Sequence, residues 1–194
     1  MDTTKRWLQP GIAALRPWRM GDESSLVRHA NNYEVWRRVR DSFPHPYTHE
    51  DAEQWIAFAG QHSQTQFAIE VGGEAVGGIG LELGSGIEHR SAELGYWLGE
   101  DFWGRGIATA AVEAVTPHGF EQLGLTRIFA TPLEGSSASM RVLEKCGYVR
   151  EGVMRRSVVK EGVVLDQVLY AMTDEDREGR EQWTPRKREG RYPV

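Results

Sequence analysis

A short segment in the second half of the chain, FWGRGIAT at residues 102–109, constrains the fold more than any other feature. Two glycines, Gly104 and Gly106, follow an aromatic pair and precede a run with helical spacing. Glycine lacks a Cβ atom and adopts backbone conformations that other residues avoid, so the chain can turn tightly and approach a ligand closely. A helix that begins there also directs unpaired N–H groups at whatever lies in front of it. The segment therefore predicts a strand–turn–helix unit that binds an anion.

Two common phosphate-binding loops do not fit this segment. No Gly-Lys-Ser/Thr follows the glycines, which excludes a Walker loop, and the Gly-x-Gly-x-x-Gly spacing of dinucleotide-binding folds is absent. Taken alone, the segment is equally compatible with a tight strand–helix turn that binds no ligand. Its interpretation as an anion site depends on the rest of the chain.

Composition sets broad limits on fold and partners. With 194 residues, 40% of them hydrophobic, the chain is long enough for one domain with a substantial core. No apolar run approaches ~20 residues, so we expect no membrane span, and the first residues do not resemble a secretion signal. The net charge of −5 argues against a nucleic-acid partner and for a cationic substrate. The single cysteine, Cys146, fits the reducing cytoplasm.

The first third of the chain contains one predicted strand and three predicted helices. Residues 12–18 have the apolar character of a strand. Asp22 is a favourable N-cap residue for the helix that follows it, and a second short helix is expected within residues 31–40. Thr48, with Asp51 three residues later, resembles a capping box and predicts the third helix.

Strands prevail in the rest of the chain, and two helices interrupt them. The predicted strands cover residues 67–71, 74–83, 91–99, 126–132, 148–159 and 162–172. One helix is expected from Gly106 to about Leu123, and Gly147 ends another. This order predicts an α/β (α+β) domain over residues 1–173, with a mixed, mostly antiparallel sheet flanked by helices. Residues 174–194 predict a charged helix and tail.

Two long segments resemble the signature regions of the GCN5-related N-acetyltransferases (GNAT): LGYWLGEDFWGRGIATAAVEAV and SSASMRVLEKCGYVREG. The segments LRPW, FPHPYTHEDAEQWI and LDQVLYAM further resemble the branch that acetylates ribosomal-protein N-termini. The match runs in the right order from residue 12 to residue 173. The resemblance implies a GNAT fold with splayed central strands and direct transfer of an acetyl group from acetyl-CoA to a primary amine in a ternary complex.

The resemblance also implies which residues hold coenzyme A. The family's pyrophosphate loop maps to Trp103, Gly104, Arg105, Gly106, Ile107, Ala108 and Thr109. Its backbone N–H groups lie at the positive end of the following helix. On the preceding strand, Tyr96, Trp97 and Leu98 occupy the positions beside which the pantetheine arm lies, and an N–H near Leu98 would polarise the thioester carbonyl. Alternatively, the side chains of Tyr96 and Trp97 pack in the core.

Glu93 is the candidate general base. It lies ten residues before Trp103, close to where some family members carry a glutamate base, and it would act directly or through water. An N-terminal amine, with a pKa near ~8, needs less help than a lysine amine, with a pKa near ~10.4. The alternative is a surface carboxylate that is paired across the sheet.

The second signature region supplies the remaining candidates. Leu143 occupies the position of the tyrosine that many relatives use as general acid, so that proton route is missing. Ser139 occupies the serine position used by the branch and would hydrogen-bond the thiolate sulfur; the alternative is an ordinary serine in the first turn of the helix. Ser136 replaces the family's asparagine, and its shorter side chain is expected to cap the helix and to contact pantetheine. Cys146 is expected to be structural rather than a nucleophile.

No metal site is predicted. His45 and His49 have a ligand-like spacing, but Pro46 and the helix start at Thr48 break their shared face. Two function classes remain: an N-acetyltransferase and a catalytically silent acyl-CoA-binding relative. For the enzyme, the branch favours a protein N-terminus as acceptor, whereas a polyamine, an amino acid or an aminoglycoside is the alternative. The sequence does not indicate an oligomeric state.

Overall fold

The computed structural model describes residues 6–9 and 13–181, which form one sheet with helices on both faces. The strands are β1 (Arg6–Gln9), β2 (Ala13–Pro17), β3 (Gln66–Val71), β4 (Glu74–Leu83), β5 (Ser91–Leu98), β6 (Arg127–Ala130), β7 (Val149–Lys160) and β8 (Val163–Thr173). The helices are α1 (Glu23–Ala30), α2 (Tyr33–Trp36), α3 (His49–Gln61), α4 (Ile107–Gln122), α5 (Ser137–Cys146) and α6 (Asp174–Glu181). The end of the predicted tail, residues 182–194, lies outside the described residues.

The sheet is mixed and mostly antiparallel, as predicted. Its described strands follow the order β1-β2-β3-β4-β5-β6-β8-β7, and β5–β6 is the parallel pair. That pair is short, because only Ser91–Glu93 face Arg127–Phe129. Beyond Glu93, strand β5 continues to Leu98 beside β4 but no longer beside β6. The predicted divergence of the central strands therefore lies between β5 and β6.

Two apolar clusters fill the two faces of the sheet. On one face, Leu94 and Leu98 of β5 pack with Ile107 and Val112 of α4. On the other face, α1 and α3 cover a smaller cluster that includes Trp18 and contacts Trp97. Because side chains alternate along a strand, consecutive residues of β5 contribute to opposite clusters. The two faces of β5 therefore pack against different sets of residues.

Asp22 corrects one expectation about helix capping. It lies at the N-cap position of α1, but its carboxylate makes no side-chain cap bond. Instead it accepts two hydrogen bonds, of 2.6 and 2.7 Å, from the Arg16 guanidinium, which also donates to Glu70 at 2.5 Å. All three side chains are buried. A buried arginine without partners would be strongly destabilising, so this ion-pair triad takes the carboxylate that was expected to cap the helix.

Other local signals are confirmed. Thr48 and Asp51 form the reciprocal capping box at the start of α3. Gly72 and Gly73, which lie between the predicted strands 67–71 and 74–83, make the β3–β4 turn with φ of 60° and 92°, and Gly147 ends α5 with φ of 87°. Strand β1 was not predicted, and it pairs with β2 at the sheet edge. No helix between residues 13 and 181 has the length and apolar character needed to cross a membrane.

Candidate active site

The glycine loop adopts the backbone geometry that its composition requires. Gly104 and Gly106 have φ of 74° and 77°, in the left-handed region that favours glycine. The C=O of Gly106 accepts the first hydrogen bond of α4, from the Ala110 N–H at 3.0 Å. The N–H groups between Gly104 and Thr109 therefore precede the hydrogen-bond ladder of the helix. Residues 103–106 are exposed and Ile107 is buried, so the loop is a surface cradle on a fixed helix end.

Trp103 ties this loop to the end of strand β5. Its indole N–H donates to the Leu98 carbonyl at 2.7 Å. The Arg38 guanidinium lies 5.0 Å from the Trp103 ring centroid, while the Arg105 guanidinium lies 5.3 Å from the ring of Phe102. The side chain of Trp103 thus supports the loop conformation, a role that the sequence did not reveal. Arg105 is exposed beside the cradle.

Tyr96 and Ser139 meet where β5 diverges from β6. The Tyr96 hydroxyl lies 2.8 Å from Ser139 Oγ and 3.2 Å from the Ser139 carbonyl oxygen. Tyr96 packs against the larger core cluster, as the alternative interpretation expected, but its hydroxyl is engaged in this polar contact. Burial raises the pKa of Tyr96 to about 12, partly opposed by the hydrogen bond with Ser139. The phenol therefore stays protonated at neutral pH.

The neighbouring positions of α5 and α4 have structural roles. Ser136 is the N-cap residue of α5, but its side chain makes no cap bond, so that expectation was wrong. The helix begins instead with the Met140 N–H bound to the Ser136 carbonyl at 3.1 Å. Leu143 is fully buried in the core. Cys146 lies half-buried with its Sγ 3.5 Å from the Thr109 carbonyl, which joins α5 to α4.

Glu93 lies on the opposite face of β5 within a chain of hydrogen bonds. Its Oε1 accepts hydrogen bonds from the Thr131 hydroxyl, at 2.7 Å, and from the Arg40 guanidinium. The Gln167 amide donates to Thr131 Oγ1 at 3.1 Å, and the Ser157 hydroxyl donates to Gln167 Oε1 at 3.1 Å. The Glu93 side chain is 19% exposed. Glu93 is thus a paired carboxylate, although its cation comes from a loop and not from a neighbouring strand.

An open space adjoins Glu93 on the same face. Strand alternation places Glu93, Gly95 and Trp97 on this face, and Tyr96 on the other. A Cβ atom added to Gly95 would meet nothing within 4 Å. The β5–β6 gap is therefore bordered by the Tyr96–Ser139 hydroxyls on one face and by the Glu93 carboxylate on the other.

Helix α2 and the segment after it contact both the β7–β8 turn and Glu93. The Lys160 ammonium lies 2.6 Å from the Asp41 carboxylate and 3.8 Å from the centroid of the Trp36 ring. The Tyr33 hydroxyl donates to Glu161 at 2.9 Å. Because Arg40 contacts Glu93 and the next residue contacts Lys160, this segment joins the hairpin turn to the candidate base.

The two histidines considered as ligands have different neighbours. His45 stacks on Trp36 with ring centroids 5.3 Å apart, whereas His49 lies on α3 with its Nδ1 3.4 Å from Glu53. Within residues 13–181, no group of three or more His, Cys, Asp and Glu side chains is arranged to hold a metal ion.

Comparison with known proteins places this geometry in a family. Residues 13–149 match the family described as Acetyltransferase (GNAT) domain. Mycobacterium smegmatis RimJ in complex with CoA-disulfide is 30% identical, with a TM-score of 0.72 over 86% of this chain and 84% of that chain. RimL, a ribosomal L7/L12 alpha-N-protein acetyltransferase in complex with coenzyme A, is 19% identical, with a TM-score of 0.77 over 89% of this chain and 99% of that chain. Spermidine N(1)-acetyltransferase of Escherichia coli (strain K12) is 26% identical over 140 residues, 71% of this chain and 73% of that protein.

Two curated N-acetyltransferases of Bacillus subtilis (strain 168) are 35% identical over 99 and 91 residues, which are 51% and 47% of this chain. The chain thus spans about half the length of these relatives, 55% and 50%. The likeness to RimL confirms the GNAT fold, with its mixed sheet and flanking helices. The family match covers most of the chain, including the glycine loop, β5 and α5. The chain therefore belongs to the GNAT family of N-acetyltransferases.

Proposed function

We propose that this enzyme transfers the acetyl group of acetyl-CoA directly to the α-amine of a protein N-terminus, within a ternary complex. The observation that carries the proposal is the β5–β6 gap, which has two hydroxyls on one face and a carboxylate on the other. A donor on the first face and an amine on the second would meet at this gap. RimL, which shares the fold, is named as an acetyltransferase of a protein N-terminus.

The glycine loop fits a pyrophosphate because its N–H groups precede the α4 ladder and its glycines lack side chains. Residues 104–109 would hold the diphosphate, and Arg105 would contribute a positive charge beside it. The backbone from Tyr96 to Leu98 would pair with the pantetheine arm in the gap, with the Ser136 hydroxyl as a further contact. When bound, acetyl-CoA supplies the activated acetyl group.

Glu93 would receive a proton from the acceptor amine. Its Oε1 is held by Thr131 and Arg40, so Oε2 would be the oxygen that meets the amine or an intervening water. As the amine nitrogen bonds to the thioester carbon, the proton passes to this oxygen and the carbon–sulfur bond breaks. An α-amine, with a pKa near ~8, is well matched to a base that is already ion-paired.

Ser139 would stabilise the departing thiolate by donating its hydroxyl proton in a hydrogen bond to sulfur. The Tyr96 hydroxyl, 2.8 Å away, orients Ser139 for this contact. The pKa of Tyr96 is about 12, well above that of a thiol near ~8.5, so the phenol does not transfer its proton to the thiolate. Tyr96 is thus a positioning residue and does not replace the general acid that is missing at Leu143.

We call the face of β5 that carries Glu93 and Gly95 the acceptor side. The charges on this side favour an α-amine over a polyamine. Two carboxylates there are already ion-paired: Glu93 with Arg40, and Asp41 with Lys160. A polyamine carries several positive charges and gains most from unpaired carboxylates. An N-terminus brings one charge, which it loses in the reaction. We further propose the cytoplasm as the location, since a single cysteine fits a reducing compartment.

The test is a turnover screen with acetyl-CoA that measures release of free thiol. The acceptors are hexapeptides with different N-terminal residues, spermidine, lysine and an aminoglycoside. The matched control is each peptide with its N-terminus already acetylated. We expect turnover with free N-termini, none with blocked ones, and an acetyl group on the α-amine by mass spectrometry. A preference for spermidine would contradict the proposed acceptor, and coenzyme A binding without turnover on any amine would indicate a silent relative.

A further inference from the structure

Two carboxylates face each other across neighbouring strands at the acceptor side. Glu82 of β4 is directly opposite Glu93 of β5 in the register of this antiparallel pair. Like charges that are directly opposite on one face of a sheet destabilise it. The pair therefore forms a local concentration of negative charge beside the open space at Gly95.

Arg40 lies between these two carboxylates. One guanidinium nitrogen donates to Glu93 Oε1, and the other lies 3.9 Å from Glu82 Oε2. The arginine comes from the segment after α2, and its side chain is 58% exposed. It is thus a cation from outside the sheet that neutralises a charge pair within it.

In the ion pair between Arg40 and Glu93, the carboxylate is held more firmly than the guanidinium. Glu93 is fixed by Thr131, which is itself fixed by the buried amide of Gln167. Arg40, in contrast, reaches the carboxylates from an exposed loop. Removing the arginine charge would leave Glu93 in place and the charges of both carboxylates unopposed by Arg40.

We infer that Arg40 determines which acceptor charge the enzyme accepts. Its guanidinium occupies the position that a second ammonium group of a polyamine would take, so polycations are disfavoured and an amine with one charge is admitted. The inference rests on the proposed function, because it assumes that the acceptor enters beside Glu93. Arg40 acts through charge and is not a catalytic residue.

The experiment compares acetylation of spermidine with that of an N-terminal peptide by the parent enzyme and by Arg40→Ala. We expect the ratio of kcat/KM, spermidine over peptide, to rise about 10-fold in Arg40→Ala at low salt, because Arg40 no longer neutralises the partly buried Glu93 and the exposed Glu82. The rise should shrink at 0.5 M salt, where the Debye length falls to a few ångströms. Arg40→Lys, which keeps the charge, should restore the parent ratio.

The matched control is Arg37→Ala, since Arg37 lies in the same segment and pairs with Glu34. An unchanged ratio in Arg40→Ala, or an equal change in Arg37→Ala, would overturn the inference. A parent enzyme that already prefers spermidine would overturn it as well. If the parent acetylates no amine, the proposed function fails, and calorimetry of spermidine with both proteins decides the inference separately: tighter binding to Arg40→Ala supports it, and equal binding rejects it.

Discussion

The hydroxyl groups of Tyr96 and Ser139 lie 2.8 Å apart, although 43 positions separate the two residues in the chain. Tyr96 reaches this contact from the divergent end of β5, and Ser139 from the first turn of α5. The contact therefore joins the two segments that resemble the family's signature regions. It also gives the proposed thiolate site a second hydroxyl, which the sequence did not assign to it.

Replacing Tyr96 by Phe tests this contact. We expect kcat to fall about 10-fold, because Ser139 loses one hydrogen bond, while the KM for acetyl-CoA stays nearly unchanged. Since burial raises the pKa of Tyr96 to about 12, the hydroxyl stays protonated from pH 7 to pH 10. The ratio of parent to variant rates should therefore be constant over that range. The double variant with Ser139→Ala should be no slower than Ser139→Ala alone, and additive losses would show that the two hydroxyls act independently.

Glu93→Gln tests whether Glu93 is the general base. We expect a loss of turnover of order 10²- to 10⁴-fold with coenzyme A affinity unchanged, because a base acts on the amine. The loss should shrink as pH rises, since more of the amine is then already neutral. The control is Glu82→Gln, which faces Glu93 and shares Arg40 but is 78% exposed. Parallel pH profiles of parent and Glu93→Gln would assign Glu93 an orienting role only.

Gly106→Val tests the cradle. The substitution adds a branched side chain to a backbone with φ of 77°, so it both fills the cradle and strains the loop. We expect calorimetry to detect no coenzyme A binding by the folded variant. Gly124→Val is the matched control, because Gly124 also has a positive φ, of 65°, but lies in the loop after α4. Equal loss of binding in both variants would attribute the effect to strain alone.

Arg105→Ala tests whether Arg105 contacts the 3′-phosphate or the diphosphate of coenzyme A. If the guanidinium contacts the 3′-phosphate, the variant should lose affinity for coenzyme A about 10-fold and keep its affinity for dephospho-coenzyme A. Equal losses for both ligands would place Arg105 at the diphosphate. Arg28→Ala, which removes an exposed arginine from α1, controls for the change in net charge. No loss for either ligand would remove Arg105 from the proposed site.

Gly95→Val tests the open acceptor face. A Cβ at this position meets no atom within 4 Å, and a β-branched residue suits a strand, so the fold should tolerate the change. We expect the KM for a peptide acceptor to rise at least ~10-fold, with coenzyme A affinity preserved, because the side chain fills the space beside Glu93. Gly152→Val on β7, where an added Cβ is equally unobstructed, is the control. A peptide KM that does not change would place the acceptor elsewhere.

Local signals predicted the elements well because their causes are local. The capping box of Thr48 and Asp51 and the end of α5 at Gly147 depend on residues within one or two turns. The capping role of Asp22 was wrong for a different reason. Its partner Arg16 is also held by Glu70, which is 54 positions from the arginine, and nothing in the sequence near Asp22 indicates that ion pair.

In the candidate site, too, features with local causes were predicted and features that depend on distant residues were not. The glycine loop was located from its composition, and its left-handed glycines are confirmed. The partners of Glu93 could not be located, because Arg40 is 53 positions away and lies in a loop, whereas the sequence predicted a short helix within residues 31–40 that in the structure covers only Tyr33–Trp36. The bond from the Trp103 indole to Leu98 spans only five residues, yet it depends on the path of the loop between them.

The short parallel pairing of β5 and β6 has a consequence for how such enzymes diversify. In the proposed reaction the acetyl donor and the acceptor amine approach from opposite faces of the gap. Selection for a given donor and selection for a given acceptor would therefore act on different parts of the chain. If the acceptor enters beside Glu93, substitutions at Arg40, Asp41 or the β7–β8 turn would alter its site without touching the loop over residues 103–109, whereas Arg38 contacts that loop through Trp103. A duplicated gene could thus acquire a new amine in a few steps while its acetyl donor stayed the same.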